Sequence, residues 1–252
     1  PIGNSLIMKD GAQYAFRTIG LAYILIVLVA SFFIKKAPAG YKPTGWNPPE
    51  QVAGKSMVNK NWLEMLKTPV FYVVISMFFV GAFSGLMIAA NARTIGTSMF
   101  GLSATAAALY VSLYSIANSS GRFIWGSVSD KIGRSKTLYI IYTVVALALA
   151  IIAFVPGQIG FVVGIVGLGI CFGGVMGVFP SIVMENYGPV NQGVNYGIVF
   201  SGYSIAAYFA PSIAAQIATA NQGDFSIAFY VAIVLALVGI VLNVIYRKIT
   251  HR

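Results

Sequence analysis

The sequence predicts an all-α protein that crosses a membrane several times, and both its composition and its long apolar runs support this prediction. Of the 252 residues, 58% are hydrophobic and only 9% are charged, and the mean hydropathy is +0.83. Soluble domains carry about 25% charged residues. A soluble globular fold is therefore excluded.

Seven apolar runs are long enough to span a bilayer, since a transmembrane helix needs about 17 or more mostly apolar residues. The runs are Ala15–Ile34, Pro69–Asn91, Leu102–Trp125, Thr137–Val155, Phe161–Met184, Gly193–Ala214 and Phe225–Tyr246. A shorter apolar stretch, residues 1–8, ends at Lys9-Asp10-Gly11, and we expect it to be the tail of a preceding helix. The run 161–184 is rich in glycine, which predicts either static close packing or a helix that bends during function.

The segment 35–67 is polar and holds six lysines and four prolines, so we expect a loop that is helical only near Lys60–Lys67. If the spans alternate, 12 of the 16 Lys and Arg residues lie on the same side as this loop. Basic residues concentrate in cytoplasmic loops, so this side and the C-terminus are predicted to be cytoplasmic. The net charge of +10 is then a topology signal, and no nucleic-acid partner is predicted.

The chain has one span, then a long basic loop, then six evenly spaced spans. This order favours an architecture in which the last helix of one six-helix half is joined to a complete second half. Transporters built from two such halves are known. We therefore expect a fragment whose remaining N-terminal helices are its partner. The predicted parts are 1–34, the end of helix 5 and helix 6 of the N-terminal half; 35–68, the cytoplasmic inter-half loop; 69–247, the C-terminal six-helix half; and 248–252, a cytoplasmic tail.

The cation Arg122 lies inside the apolar run Leu102–Trp125, and Ser115, Asn118 and Ser119 share its helical face at a spacing of three or four residues. An arginine at membrane depth costs roughly 2.5–3.5 kcal/mol on insertion scales and usually marks a substrate or ion path. Two alternatives remain open, namely pairing with a backbone carbonyl and snorkelling of the side chain to the membrane surface.

The pattern Gly126-x-x-x-Asp130-Lys131-x-Gly133-Arg134 resembles the loop signature of the major facilitator superfamily, G-x-x-x-D-[RK]-x-G-[RK]. In the predicted topology it joins the second and third helices of the six-helix half, where that superfamily has it. We expect Gly126 to permit close helix approach, Gly133 to form a tight turn, and Asp130 to cap a helix or pair with a cation. The resemblance implies a role in gating and not in substrate contact.

Several further sequence segments are similar to those of the oxalate/formate antiporter family, and this resemblance covers essentially the whole chain. They are Ser115-Ile-Ala-Asn-Ser-Ser-Gly-Arg122, Asp130-Lys-Ile-Gly-Arg134, Phe172-Gly-Gly174, Val178-Phe-Pro-Ser181, Asn195-Tyr-Gly197 and residues 39–48. The resemblance implies that Arg122 binds a substrate carboxylate, that Asn118 acts beside it one helical turn earlier, and that the ring of Phe172 forms a wall of the site. Tyr203 stands where the oxalate transporter has a second cation.

This departure at Tyr203 bears on the substrate. A substrate with two carboxylates needs two cations to neutralise its charge, whereas one arginine can bind a single carboxylate through both oxygens. We therefore expect a monocarboxylate such as pyruvate, lactate or formate, with Tyr203 supplying a hydroxyl or an aromatic wall. Packing roles for Phe172 and Tyr203 and a helix–helix hydrogen bond for Asn118 remain open. Tyr196 and Tyr114 are further candidates.

The predicted function is secondary active transport of a small carboxylate in the cell membrane by alternating access, as a symport with a proton or an antiport with a counter-anion. The alternatives are oxalate/formate-type dicarboxylate exchange and a non-transport membrane scaffold or sensor. Proton coupling needs a titratable group at depth. All six acidic residues lie in loops or at helix ends, and Glu185 is the nearest candidate.

Enzymatic activity is not predicted, because the sequence offers no general base, nucleophile pair or phosphate-binding loop. No metal and no cofactor are predicted either, since Cys171 is the single cysteine and His251 the single histidine. The expected partners are thus the carboxylate, a proton or counter-anion, the lipid bilayer and the remaining helices.

Overall fold

The computed structural model describes residues 2–34, 41 and 58–250, which fall into two units. The first unit contains α1 (Ile2–Phe33). Its helical hydrogen bonding is interrupted at Gly11, where φ is 84° and ψ is 168°. The interruption falls where the sequence predicted a short helix to end. Most of the predicted loop 35–68 and the last two residues of the predicted tail lie outside the described residues.

The second unit is a bundle of helices. They are α2 (Trp62–Leu66), α3 (Pro69–Ser98), α4 (Ala104–Ile132), α5 (Arg134–Phe154), α6 (Gly157–Tyr187), α7 (Gln192–Val199), α8 (Ser201–Ala220) and α9 (Ser226–Thr250). The helices α7 and α8 form one bent span, because only Phe200 separates them and its N–H still donates to the Tyr196 carbonyl at 2.7 Å. Each apolar run predicted after residue 68 thus corresponds to one helix or to this bent pair.

By length and composition, six stretches of the described helices are apolar enough to cross a membrane, and α4 is not among them. Although α4 has 29 residues, its serines, Asn118, Arg122 and the charged residues near its end lower its hydropathy. The helix nevertheless packs against α3, α5 and α6. Its buried residues include Ala107, Tyr114, Ala117 and Gly121. A single packed face therefore holds α4 in the bundle and leaves the polar face open.

The core lies between α3 and α6 and is strongly aromatic. Phe78 of α3 stacks on Phe179 of α6 with ring centroids 4.4 Å apart. The buried Tyr142 of α5 donates its hydroxyl to the Met77 carbonyl at 2.8 Å. These contacts fix α3, α5 and α6 as the frame on which the outer helices pack.

The segment before α2 is hydrogen-bonded to the region where α6 ends and α7 begins. The Lys60 carbonyl accepts hydrogen bonds from Asn195 Nδ2 at 2.9 Å and from Asn191 Nδ2 at 3.2 Å. The Lys60 N–H donates to the Tyr187 carbonyl at 2.9 Å. Next to it, Asn61 forms a capping box with Glu64 at the start of α2. The helix predicted near Lys60–Lys67 is therefore confirmed, and it is anchored to the bundle.

Candidate functional site

Helix α4 carries Arg122 on its open face, where the guanidinium is exposed and Asn118 is half-buried. The helix continues to Ile132, well past the predicted end of the span at Trp125. Ten residues therefore separate Arg122 from the helix end, which corresponds to about 15 Å at the α-helical rise. The polar and charged residues Ser127, Ser129, Asp130 and Lys131 lie between Arg122 and that end, so the helix end does not mark the membrane surface and snorkelling stays an open alternative.

Arg122 is also the most internal cation of the described bundle. In α3 to α9 every other lysine or arginine lies within two turns of an end of its helix. Among the described residues no carboxylate forms an ion pair with Arg122, because the observed ion pairs both involve Arg134. The guanidinium is therefore available to an anion that approaches the open face.

The partner of Arg122 within the described chain is Asn118, one turn earlier on α4. Arg122 Nη2 donates to Asn118 Oδ1 at 3.5 Å, which is a long hydrogen bond. The Nδ2 atom of Asn118 is buried and has no acceptor in the part of the chain that the structure describes. An unsatisfied buried donor costs about 1–3 kcal/mol. The pair thus presents N–H donors that lack an acceptor, and a carboxylate supplies only acceptors.

Trp125, which sequence reasoning did not single out, is a further donor of this kind. Its Nε1 atom is buried without an acceptor among the described residues. The ring lies against α6, where a Cβ atom on Gly174 would stand 2.4 Å from Trp125 Cδ1. Its position three residues after Arg122 could have identified it, because residues at that spacing are neighbours on a helix surface.

The structure brings the two predicted aromatic residues together. The rings of Phe172 and Tyr203 are stacked, with centroids 6.2 Å apart and an interplanar angle of 6°. Phe172 is only 7% exposed and fits against Gly85 of α3, where a Cβ atom would stand 2.3 Å from the ring. Tyr203 is half-buried and also stacks on Phe200 at 4.7 Å. Both residues pack into an aromatic wall, and Tyr203 retains an accessible part.

Tyr196 belongs to the same aromatic cluster as Tyr203. Both rings lie against Phe78, with centroids 6.3 Å and 6.1 Å from it. Tyr114 has a different position, because its buried hydroxyl donates to the Gly85 carbonyl at 2.7 Å. The hydrogen bond of Tyr114 is therefore a helix–helix contact, and a role for Tyr196 in the site stays a prediction.

A row of glycines holds α4 tightly against α6. A Cβ atom on each glycine would stand 2.0–2.9 Å from a carbonyl oxygen of α4. The pairs are Gly169 with Tyr114, Gly173 with Asn118 and Gly177 with Arg122. Of the two interpretations of this glycine-rich helix, the structure supports close packing, and the packing places the backbone of both site residues.

The motif Gly126–Arg134 forms the end of α4 and the turn to α5. Gly133 has φ 90°, which confirms the predicted turn. Arg134 pairs with Asp130 at 2.6 Å and with Glu185 of α6 at 3.1 Å, which confirms the predicted pairing of Asp130. These contacts place Glu185 in an ion pair near the end of α6, away from the site at Arg122.

The two remaining motif residues make few contacts. The expected close helix approach at Gly126 is wrong for the described chain, because no atom of a neighbouring element lies within 4 Å of where its Cβ would be. Helix α4 is rotated so that Gly121, and not Gly126, meets α6. Lys131 is exposed.

A family model of the Major Facilitator Superfamily matches residues 1–211 and 82–252. The chain belongs to the Major Facilitator Superfamily. A solved relative of the fold is an autoinhibited POT-family peptide transporter, with a TM-score of 0.62 and 18% identity over 72% of this chain and 37% of that one. The predicted fold class, an all-α polytopic membrane protein of this superfamily, is therefore confirmed.

Curated relatives within the superfamily are transporters. The chain is 30% identical to the oxalate:formate antiporter of Oxalobacter formigenes, over 96% of this chain and 56% of the relative. It is 29% identical to the uncharacterized MFS-type transporter YhjX of Escherichia coli (strain K12), over 82% and 50%. It is 30% identical to apicoplast pyruvate carrier 1 of Toxoplasma gondii, over 49% and 24%. The chain spans about half the length of the first two relatives.

Proposed function

We propose that the full-length protein is a secondary transporter that moves a small carboxylate across a membrane by alternating access, and that Arg122 binds the carboxylate group. The observation that carries the proposal is the internal position of Arg122 on the open face of α4, beside the unsatisfied Nδ2 donor of Asn118. The named substrates of two relatives, oxalate and formate in one and pyruvate in the other, are small carboxylates and support this substrate class.

In this proposal each side chain has a distinct task. The planar guanidinium of Arg122 binds the carboxylate through two parallel hydrogen bonds, and Asn118 adds a third donor. The accessible part of Tyr203 and the stacked ring of Phe172 form an apolar wall for the rest of the substrate. We propose that Tyr196, which belongs to the same aromatic cluster as Tyr203, lies at the border between these two parts.

Alternating access requires the site to move as one body with its helices. The close glycine contacts join α4 to α6, and Arg134 links the α4–α5 turn to α6 through its ion pairs. We propose that α4, α5 and α6 therefore rock together and carry Arg122 with them. The remaining helices of the protein would cover the open face of α4 and complete the site.

A monocarboxylate is the substrate that this half of the site suits best. Within the described bundle Arg122 is the internal cation, and the resemblance to the oxalate/formate antiporter family implies that Tyr203 stands at the position of a second cation. One guanidinium neutralises one carboxylate, so a dianion would lack half of its charge compensation. We therefore favour pyruvate, lactate or formate, coupled to a proton or to a counter-anion.

Oxalate/formate-type exchange is the second candidate, and the similarity to the oxalate:formate antiporter over 96% of the chain favours it. It requires a second cation at the site in addition to Arg122. A scaffold or sensor is the third candidate and requires no transport at all. We further propose that the protein lies in the cell membrane with its C-terminus in the cytoplasm, because most basic residues lie on that side.

Uptake of labelled pyruvate, lactate, formate and oxalate by the full-length protein in proteoliposomes tests the proposal. We expect saturable monocarboxylate uptake that Arg122→Gln abolishes. The matched control Arg93→Gln removes an exposed cation near the end of α3 and should leave uptake unchanged. Preferential oxalate exchange would support the second candidate, and the absence of any uptake by the unmodified protein would support the third.

A further inference from the structure

We propose that the end of the α5–α9 seam binds an anionic phospholipid, with its phosphate at Lys136, Arg247 and Lys248 and an acyl chain beside Tyr139 and Val244. This site is separate from Arg122 and does not depend on the transported substrate. It lies where α5 begins and α9 ends, at the same end of the bundle as the turn between α4 and α5.

Two adjoining depressions form the site. The first is a cavity of about 200 Å³ whose lining includes Arg134, Lys136, Arg247 and Glu185. The second is a groove of about 290 Å³ lined by Tyr139, Val244, Arg247 and Lys248. Because Arg247 lines both, the basic cavity continues directly into a groove with an apolar wall.

Part-buried hydrogen bonds join the helices that form the walls of this site. Ser135 Oγ donates to Asn243 Oδ1 at 3.0 Å, and Asn243 Nδ2 donates to the Ser135 carbonyl at 2.8 Å, which joins α5 to α9. Tyr246, which lines the cavity, lies 2.8 Å from Asn186 Nδ2, which donates to its hydroxyl. The buried side chains of Asn243 and Tyr246 therefore join the helices that carry Lys136 and Arg247, and both cations are exposed.

The charges of the site favour an anion. Arg134 already pairs with Asp130 and Glu185. The lining of the cavity and the groove holds four cations, Arg134, Lys136, Arg247 and Lys248, against one carboxylate, Glu185. Basic pockets between transmembrane helices at the membrane surface bind phosphate-bearing headgroups.

The apolar part of the site favours a lipid over a free phosphate ion. Tyr139 lies five residues into α5, and Val244 lies six residues before the end of α9, so both are closer to the middle of the bundle than the cations are. Val244 is 37% exposed, as expected for a residue that faces acyl chains. A headgroup at the cations would thus place an acyl chain along the groove.

Lipid binding to the purified full-length protein tests this proposal, with phosphatidylglycerol compared with phosphatidylcholine by native mass spectrometry. We expect a preference for phosphatidylglycerol that weakens by roughly fivefold for each charge removed in Lys136→Gln, Arg247→Gln and Lys248→Gln. Val244→Trp, which fills the groove without changing charge, should weaken the same binding. Arg93→Gln, at the other end of the bundle, is the matched control and should have no effect.

Two results would overturn the proposal. One is a triple variant that keeps the full preference for phosphatidylglycerol. The other is displacement of the lipid by millimolar inorganic phosphate together with a normal Val244→Trp variant, because the ligand would then be a free phosphate ion. Failure of phosphate to displace the lipid supports a site that needs both the headgroup and the chain.

Discussion

The carbonyl oxygen of Asn118 lies directly against Gly173, and a Cβ atom on that glycine would stand 2.0 Å from it. The same Cβ would also stand 3.0 Å from the backbone nitrogen of Arg122. Backbone atoms of a packed helix cannot move aside as a flexible side chain can. Any side chain at Gly173 therefore has to separate α4 from α6, and the displacement falls on both proposed carboxylate-binding residues.

Gly173→Ala should destabilise the protein and reduce transport more than it changes expression. Overpacking of a close-packed interior costs typically about 1–3 kcal/mol, which thermal unfolding in detergent would detect. The matched control is Gly167→Ala in the same helix, where the nearest atom to the added Cβ is Ala148 Cβ at 3.3 Å. Equal melting temperatures for the two variants would contradict the proposed contact between α4 and α6.

Asn195→Ala should loosen the chain around Lys60. Asn195 is fully buried, and its amide is one of two that hold the Lys60 carbonyl. Without it, limited proteolysis with trypsin should cleave after Lys60 at a higher rate. Asn221→Ala, which alters an exposed asparagine at the end of α8, is the control and should leave the cleavage rate unchanged. Protection at Lys60 in Asn195→Ala would mean that the remaining contacts suffice to hold the segment.

Substitutions at Tyr203 distinguish the role of its ring from that of its hydroxyl. They also test whether a second cation is needed to transport a dicarboxylate. Tyr203→Phe keeps the stacking on Phe172 and should retain monocarboxylate uptake if the ring acts as a wall. Tyr203→Lys places a cation in the proposed wall of the site and should raise the ratio of oxalate to formate uptake. Competition by the two unlabelled anions measures this ratio, and an unchanged ratio in Tyr203→Lys would count against the single-cation interpretation.

The sequence predicted the helices and the pairing within α4 because both follow from periodicity. Apolar runs of sufficient length mark the helices, and the four-residue spacing of Asn118 and Arg122 places them one turn apart. The end of α4 was predicted too early, since polar residues 127–131 end an apolar run without ending a helix. The extension to Ile132 matters, because it leaves Arg122 ten residues from the helix end.

Contacts between distant parts of the chain could not be predicted in the same way. Gly126 and Gly173 look alike in the sequence, yet Gly126 has open space and Gly173 meets the backbone of α4. The rotation of each helix about its axis decides such contacts, and a single sequence does not specify it. The link between Ser135 and Asn243 likewise joins residues 108 positions apart, and only the packing of α5 on α9 reveals it.

Equilibrium binding of a labelled monocarboxylate to the purified full-length protein tests the role of Arg122 most directly. The measurement compares the unmodified protein with Arg122→Gln, Arg122→Lys and the control Arg93→Gln. Our proposal predicts lost binding in Arg122→Gln, weakened binding in Arg122→Lys because an ammonium group lacks the planar fork, and unchanged binding in Arg93→Gln. Unchanged affinity in a folded Arg122→Gln variant would contradict the proposal.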